Sequence, residues 1–185
     1  MPSLGLLIRS FGGVDADIKS VTNVIKSGQS IAVAPGGIQE MFVGYPKAGC
    51  HPDEEVALLS SRKGFLRLCV QHNIPVVPVY VFGCSKLLRR LEVYGLEYIS
   101  RLLLTSIVVM FGKFGLPIPF KSKLKYVMGS PIYPMNSPVL DKMLNSEEIN
   151  KLTDSMHETF CEELIELFDR NKGGFNWGHK KLKIV

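Results

Sequence analysis

The stretch SIAVAPGGIQE, residues 30–40, decides the fold because it joins an apolar run to a turn and a carboxylate. The first five residues, 30–34, are too few for an ordinary helix and predict a buried strand. The Pro-Gly-Gly sequence that follows predicts a sharp turn. Ligands bind at the strand ends of open α/β sheets, so Glu40 indicates a binding site there. An ordinary tight turn with a solvated Glu40 is the alternative.

The flanking sequence alternates helical and strand patterns. Residues 16–27 and 62–72 have apolar side chains at helical spacing, and 30–34 and 75–82 are short apolar runs. A helix–strand–helix–strand order predicts right-handed crossovers and parallel pairing. The fold class predicted is therefore α/β, with a mixed, largely parallel sheet flanked by helices.

Composition indicates one globular domain of 185 residues, with 46% hydrophobic and 21% charged residues. We predict a domain of residues 1–172 and a basic C-terminal tail, 173–185. Lys and Arg total 22 against 17 Asp and Glu, so the net charge of +5 favours anionic partners such as phosphates or lipid head groups. A mean hydropathy of +0.15 indicates apolar surface that faces a partner or lipid. No apolar run reaches the roughly 20 residues of a membrane-spanning helix.

The cysteines favour neither disulfides nor a metal site. Cys50, Cys69, Cys84 and Cys161 form no Cys-x-x-Cys pair, so we expect reduced thiols. The neighbouring Cys50 and His51 lack the further spaced ligands that zinc requires. We therefore predict no metal.

Five sequence blocks occur in an order and spacing that resemble the type 2 diacylglycerol acyltransferase family, which includes monoacylglycerol and wax-alcohol acyltransferases. Each block alone is a weak signal, whereas five in order are specific. They extend over most of the chain, and they are Ala34-Pro35-Gly36-Gly37 with Glu40, Arg62-Lys63-Gly64-Phe65, Val77-Pro78-Val79-Tyr80 with Phe82-Gly83, Phe111-Gly112-Lys113-Phe114-Gly115-Leu116-Pro117, and Val127-Met128-Gly129-Ser130-Pro131-Ile132.

The resemblance implies a glycerolipid-acyltransferase-like fold and transfer of a fatty acyl group from acyl-coenzyme A to diacylglycerol, forming triacylglycerol. It implies no prosthetic group or metal, acyl-coenzyme A as co-substrate, a neutral glycerolipid as partner, and the cytosolic side of the endoplasmic reticulum membrane. Nucleic acid is not expected as a partner, and a homo-oligomer stays open. Monoacylglycerol or a fatty alcohol is an alternative acceptor.

The chain departs from the family at one point. Members carry a His-Pro-His-Gly block before the Gly-Gly-x-x-Glu turn, and this sequence has none. We therefore expect that the N-terminal part of the fold is missing. The family histidine is taken as the general base, a role that His51, His72, His157 and His179 do not inherit because none follows the pattern. A non-catalytic module that binds lipid or coenzyme A is the rival prediction.

The candidate substrate-binding residues are Gly36, Gly37, Glu40, Arg62, Lys63 and Gly64. The two turn glycines bring backbone N–H groups close to an anion or carbonyl. Arg62 and Lys63, at a predicted helix start, add positive charge that suits the phosphates of coenzyme A. Glu40 is a supporting catalytic candidate that positions either of these cations or the base. A solvated helix entry is the plain alternative.

A Gly- and Pro-rich apolar segment, residues 111–120, separates two of the predicted elements. Its apolar side chains either take up lipid or pack inside the protein. They are Phe111, Phe114, Leu116, Ile118 and Phe120.

Overall fold

The computed structural model describes residues 9–36, 40, 51–90, 110–116, 118–134 and 145–185. The chain divides into two compact units, Met1–Ala34 and Pro35–Val185. Gly37 and Cys50, which the sequence analysis names, lie outside the described residues.

In the first unit, helix α1 extends from Ile18 to Lys26. It begins at Asp17, whose carboxylate accepts the Ser20 N–H at 3.0 Å, a standard N-cap. The strand predicted at 30–34 does not form: these residues have no regular secondary structure and are exposed. Ile31 and Val33 are 39% and 55% exposed. A strand needs backbone partners as well as apolar side chains, and the local sequence does not reveal whether partners exist.

In its described residues, the second unit combines six short strands with two α-helices. In chain order its elements are β1 (Glu54–Ala57), α2 (Gly64–His72), β2 (Val79–Phe82), β3 (Arg89–Arg90), β4 (Met110–Phe111), β5 (Lys125–Met128), α3 (Ser146–Lys172) and β6 (Lys181–Ile184). The mixed α/β class is confirmed. Strand β1 is an element that the sequence patterns did not predict.

The sheets are small and mostly antiparallel, so the prediction of a largely parallel sheet is wrong for the described strands. Strand β1 pairs with β6 in parallel, whereas β2 pairs with β5 and β3 with β4 in antiparallel fashion. In the β2–β5 pair Val79 lies opposite Met128 and Phe82 opposite Lys125. Two of the sequence blocks are therefore direct neighbours in space.

Helix α3 forms the centre of the core. It starts with a capping box, in which Asn145 and Glu148 bond each other's backbone N–H groups at 2.8 and 2.9 Å. Its inward stripe packs on α2 through Phe65 and Phe160, whose ring centroids are 5.4 Å apart. The Phe168 ring stacks on Phe82 of β2. The buried residues of α3 are Thr153, Met156, His157, Phe160, Leu164, Leu167 and Phe168.

The C-terminal residues are part of this core. Trp177 is only 3% exposed, and Leu182 of β6 is 9% exposed. The Val185 N–H donates to the Ala57 carbonyl, and the Val185 carbonyl accepts the N–H groups of Leu59 and Ser60. The division at residue 172 stays a prediction about domain boundaries, but residues 173–185 are folded against β1 and α3.

Among the described helices, none combines the length and the apolar character that crossing a membrane requires.

Candidate functional site

Glu40 is held in one orientation by the backbone. Its Oε1 atom accepts the Leu58 N–H at 3.1 Å, and its side chain is half-buried. The carboxylate lies directly over Gly36, so that a Cβ atom on Gly36 would overlap it. A side chain at position 36 would therefore displace the Glu40 carboxylate from this place.

The backbone that holds Glu40 belongs to the β1–β6 pair. Leu58 follows β1 directly, and the next two N–H groups donate to the Val185 carbonyl at 2.9 and 3.1 Å. Strand β6 therefore supports the donor that orients Glu40. Local sequence gives no sign of this link, because β1 and β6 are each four residues long and far apart in the chain.

The Arg62–Lys63–Gly64 block lies at the start of α2. Gly64 is the first helical residue, and a Cβ atom there would meet no neighbour. The Arg62 N–H donates to the Leu59 carbonyl at 2.9 Å, so the turn into α2 begins close to the residues that hold Glu40. Lys63 forms an ion pair with Asp154 of α3 at 2.7 Å, with side chains 43% and 57% exposed. The hypothesis that Glu40 positions Lys63 gains no support, because the carboxylate that Lys63 contacts is Asp154.

A polar cluster that the sequence did not reveal lies next to the core aromatics. Lys180 Nζ donates to Glu55 Oε1 at 2.5 Å, and the two side chains are 14% and 13% exposed. The Lys180 ammonium also lies 4.6 Å from the ring centroid of Trp177, a cation–π contact. Glu55 is the second residue of β1, a strand that the sequence patterns did not predict, so no sequence pattern indicates its pairing with Lys180.

Tyr80 of β2 belongs to the same surroundings. Burial raises the pKa of its hydroxyl above the ordinary value of 10.0, and the negative charges of Glu55, Cys84 and Glu40 raise it further. The raised pKa keeps the phenol protonated further into the alkaline range than an exposed tyrosine. Its ring is fixed edge-on against Phe82 and Phe168, with centroids 4.8 and 5.1 Å away.

The histidines occupy three different kinds of position. His157 is buried on α3, and its Nε2–H donates to the Leu59 carbonyl at 2.8 Å. His51 and His179 lie on either side of Asp53, at 3.6 and 3.5 Å. His72 ends α2, where Asn73 takes the left-handed conformation. In the described part of the chain, no group of three or more His, Cys, Asp or Glu side chains could hold a metal ion.

A groove of about 370 Å³ lies between the end of β5 and α3. An ion pair between Arg170 and Glu163, 2.8 Å apart, borders it. None of the predicted site residues lines this groove, whose walls are Met128, Gly129, Ser130, Glu163, Leu167, Arg170 and Asn171.

Comparison with known proteins bears on these blocks. The sequence profile described as diacylglycerol acyltransferase matches residues 3–184. The chain belongs to this family. The predicted resemblance to the diacylglycerol acyltransferase family is thereby confirmed.

Relatives with assigned names align along most of this chain. It is 28% identical to diacylglycerol O-acyltransferase 1 of Eremothecium gossypii, an alignment that covers 90% of this chain and 36% of that protein. It is 28% identical to 2-acylglycerol O-acyltransferase 1 of Bos taurus, over 91% of this chain and 50% of that protein. It is 27% identical to diacylglycerol O-acyltransferase 2 of Dictyostelium discoideum, over 93% of this chain and 52% of that protein.

This member of the diacylglycerol acyltransferase family thus spans about half or less of the length of these relatives. No solved structure matches it significantly.

Proposed function

We propose that this chain contributes the C-terminal part of an acyl-coenzyme A-dependent O-acyltransferase that converts diacylglycerol to triacylglycerol. The observation that carries the proposal is the fixed Glu40 carboxylate, held by the Leu58 N–H at 3.1 Å within the Gly-Gly-x-x-Glu block. Membership of the diacylglycerol acyltransferase family and the names of the relatives support it.

The reaction assigns Glu40 a positioning role. A general base removes the proton of the acceptor hydroxyl while its oxygen attacks the thioester carbonyl carbon. A C–O bond forms, the C–S bond breaks, and the coenzyme A thiolate takes up the proton. We assign the base to a His-Pro-His-Gly histidine upstream of these residues, and Glu40 holds its imidazole.

The remaining features of the proposal come from the family. Acyl-coenzyme A is the donor, and neither a metal nor a prosthetic group takes part. The enzyme acts at the endoplasmic reticulum membrane, on the cytosolic side. Relatives named as 2-acylglycerol O-acyltransferases make monoacylglycerol the second candidate acceptor.

An acyl-transfer assay tests the proposal. The 185-residue chain is expressed alone. Where genomic sequence before Met1 encodes an extended reading frame, the extended protein is expressed as well. Membranes from the expressing cells are then incubated with labelled acyl-coenzyme A and either diacylglycerol or monoacylglycerol. We expect the extended protein to form labelled triacylglycerol, and Glu40→Ala to lower its rate by about a hundredfold. Glu158→Gln, on the exposed side of α3, is the matched control and keeps the wild-type rate.

Two outcomes would contradict the proposal. Binding of acyl-coenzyme A without turnover by the extended protein would favour the non-catalytic module. Full activity of Glu40→Ala would make the Glu40–Leu58 bond purely structural.

A further inference from the structure

A short loop between β4 and β5 exposes apolar side chains to water. We call residues 112–121 the Phe114 loop; residue 117 lies outside the described set. Phe114 is 92% exposed, Leu116 52% and Ile118 46%. Phe114 also has a φ of 59°, which is rare for a bulky side chain. Exposing a large aromatic ring in an unfavourable backbone conformation has no benefit for folding, which indicates a binding function.

The loop is held in shape by its own hydrogen bonds. The N–H groups of Gly112 and Lys113 donate to the carbonyls of Leu116 and Ile118 at 2.7 and 2.8 Å. A Cβ atom on Gly112 would overlap the Ile118 carbonyl, so the closed turn requires glycine there. Phe120 N–H donates to the Leu87 carbonyl at 2.8 Å and fixes the end of the loop. Because these backbone donors are satisfied internally, the loop enters an apolar medium without leaving them unpaired.

The charge around the loop has one sign. The 43 residues between Glu97 and Asp141 contain no acidic residue but five basic ones, namely Arg101, Lys113, Lys121, Lys123 and Lys125. Lys113 and Lys121 flank the apolar tip and are exposed. Within the described part of the chain, neither forms an ion pair with a carboxylate. Flexible lysines beside an apolar tip match a surface with negative charge above a hydrocarbon interior.

We propose that the Phe114 loop inserts into the head-group region of an anionic lipid bilayer. Phe114, Leu116 and Ile118 enter the boundary with the acyl chains, and Lys113 and Lys121 contact the acidic head groups. A protein partner is less suitable for the tip itself, because its three apolar side chains belong to a single turn, a small area beside the roughly 800 Å² per partner that a stable protein interface buries. The proposal does not depend on acyl transfer, since the loop is separate from Glu40.

Vesicle binding by the complete 185-residue chain tests the proposal. Co-sedimentation is measured with phosphatidylcholine vesicles and with vesicles that contain about one-third phosphatidylserine. We expect stronger binding to the anionic vesicles, weakened by added salt. Phe114→Asn tolerates the positive φ and removes the ring, so it keeps the fold and lowers binding by about tenfold. Replacing Lys113 and Lys121 with Gln lowers binding to the level of neutral vesicles.

A matched control uses the other highly exposed phenylalanine of the described chain. Phe11 is 84% exposed and lies in the first unit, so Phe11→Asn leaves vesicle binding unchanged. Phe114→Trp gives a second readout, a blue-shifted emission that brominated lipids quench, whereas Trp177 is already buried. The proposal is overturned if Phe114→Asn binds vesicles like the wild type, or if Phe11→Asn loses as much binding as Phe114→Asn. It is also overturned if the wild-type chain binds neither kind of vesicle, or if brominated lipids do not quench the emission of Phe114→Trp.

Discussion

At the scale of single residues, the candidate site depends on one carboxylate and one glycine. Among the described residues, Glu40 accepts the Leu58 N–H, and its side chain occupies the space where position 36 would otherwise carry a Cβ atom. The sequence predicts a glycine turn that brings backbone close to a ligand, and this contact stays a prediction. The structure adds a second constraint on position 36, the nearby Glu40 carboxylate.

Gly36→Ala is therefore expected to displace the Glu40 side chain from the Leu58 N–H. Loss of this hydrogen bond, together with the space needed for the new methyl group, lowers the free energy of unfolding by about 1–2 kcal/mol. The rate of acyl transfer by the extended protein also falls, because the Glu40 carboxylate is displaced. Urea denaturation and the transfer assay measure both effects. Gly64→Ala is the control, because a Cβ atom there meets no neighbour, and its stability stays equal or rises. Equal behaviour of the two variants would refute the close-approach argument.

The ion pair between Lys63 and Asp154 allows the predicted phosphate site to be tested. Asp154→Asn releases the lysine, so if Lys63 binds coenzyme A phosphates, KM for acyl-coenzyme A falls in this variant and rises in Lys63→Ala. Because the pair is exposed, each change costs less than about 1 kcal/mol of stability. Unchanged KM values in both variants would leave Lys63 a purely structural partner of α3.

Tyr80 makes stability dependent on pH in the alkaline range. Its pKa is raised by burial, so above the ordinary value of 10.0 the unfolded chain loses this proton while the folded chain keeps it. Rising pH then lowers the free energy of unfolding by about 1.4 kcal/mol per pH unit from this group. Tyr80→Phe removes the contribution, and urea denaturation at about pH 9 and about pH 11 will show a shallower decline. Identical slopes for the two proteins would contradict the shifted pKa.

At the scale of elements, the sequence predicts those helices and strands whose apolar residues repeat at a regular local spacing. The apolar side chains of α3 repeat over seven turns, and such a long helical stripe is readable from the sequence alone. Strand β1 was missed because Glu54 and Glu55 hide the alternation in four residues. The run at 30–34 was overinterpreted, since β-branched residues alone do not supply a pairing partner. The His157–Leu59 bond spans 98 residues and has no local signature.

Strand β6 is expected to contribute more stability than its length suggests. Leu182 is 9% exposed and belongs to the core, so Leu182→Ala should lower the free energy of unfolding by about 2–3 kcal/mol. Lys183→Ala, on the same strand, removes only a 3.7 Å contact with Glu54 from a side chain that is 58% exposed, and should cost less than about 0.5 kcal/mol. Thermal and urea denaturation compare the two. Similar small losses would show that β6 is dispensable.

At the scale of the whole molecule, the division into Met1–Ala34 and Pro35–Val185 differs from the boundary predicted at residue 172. Limited proteolysis distinguishes them. Residues 29–34 are exposed and lack regular structure, whereas Lys180 and Lys181 are held by an ion pair and by β6. We expect trypsin to cut after Lys26 before it cuts after Lys180 or Lys181, as mass spectrometry of the fragments will show. Early release of the last residues would support a separate tail.

The parallel pairing of β1 with β6 also governs the order of events during synthesis. Translation delivers β6 after every other element described. Leu59 and Ser60 therefore stay without their acceptor, the Val185 carbonyl, until the segment that contains β6 has emerged from the ribosome. A chain cut short before β6, by a stalled ribosome or a premature stop codon, would carry the acid but lack the strand pair next to the N–H group that orients it.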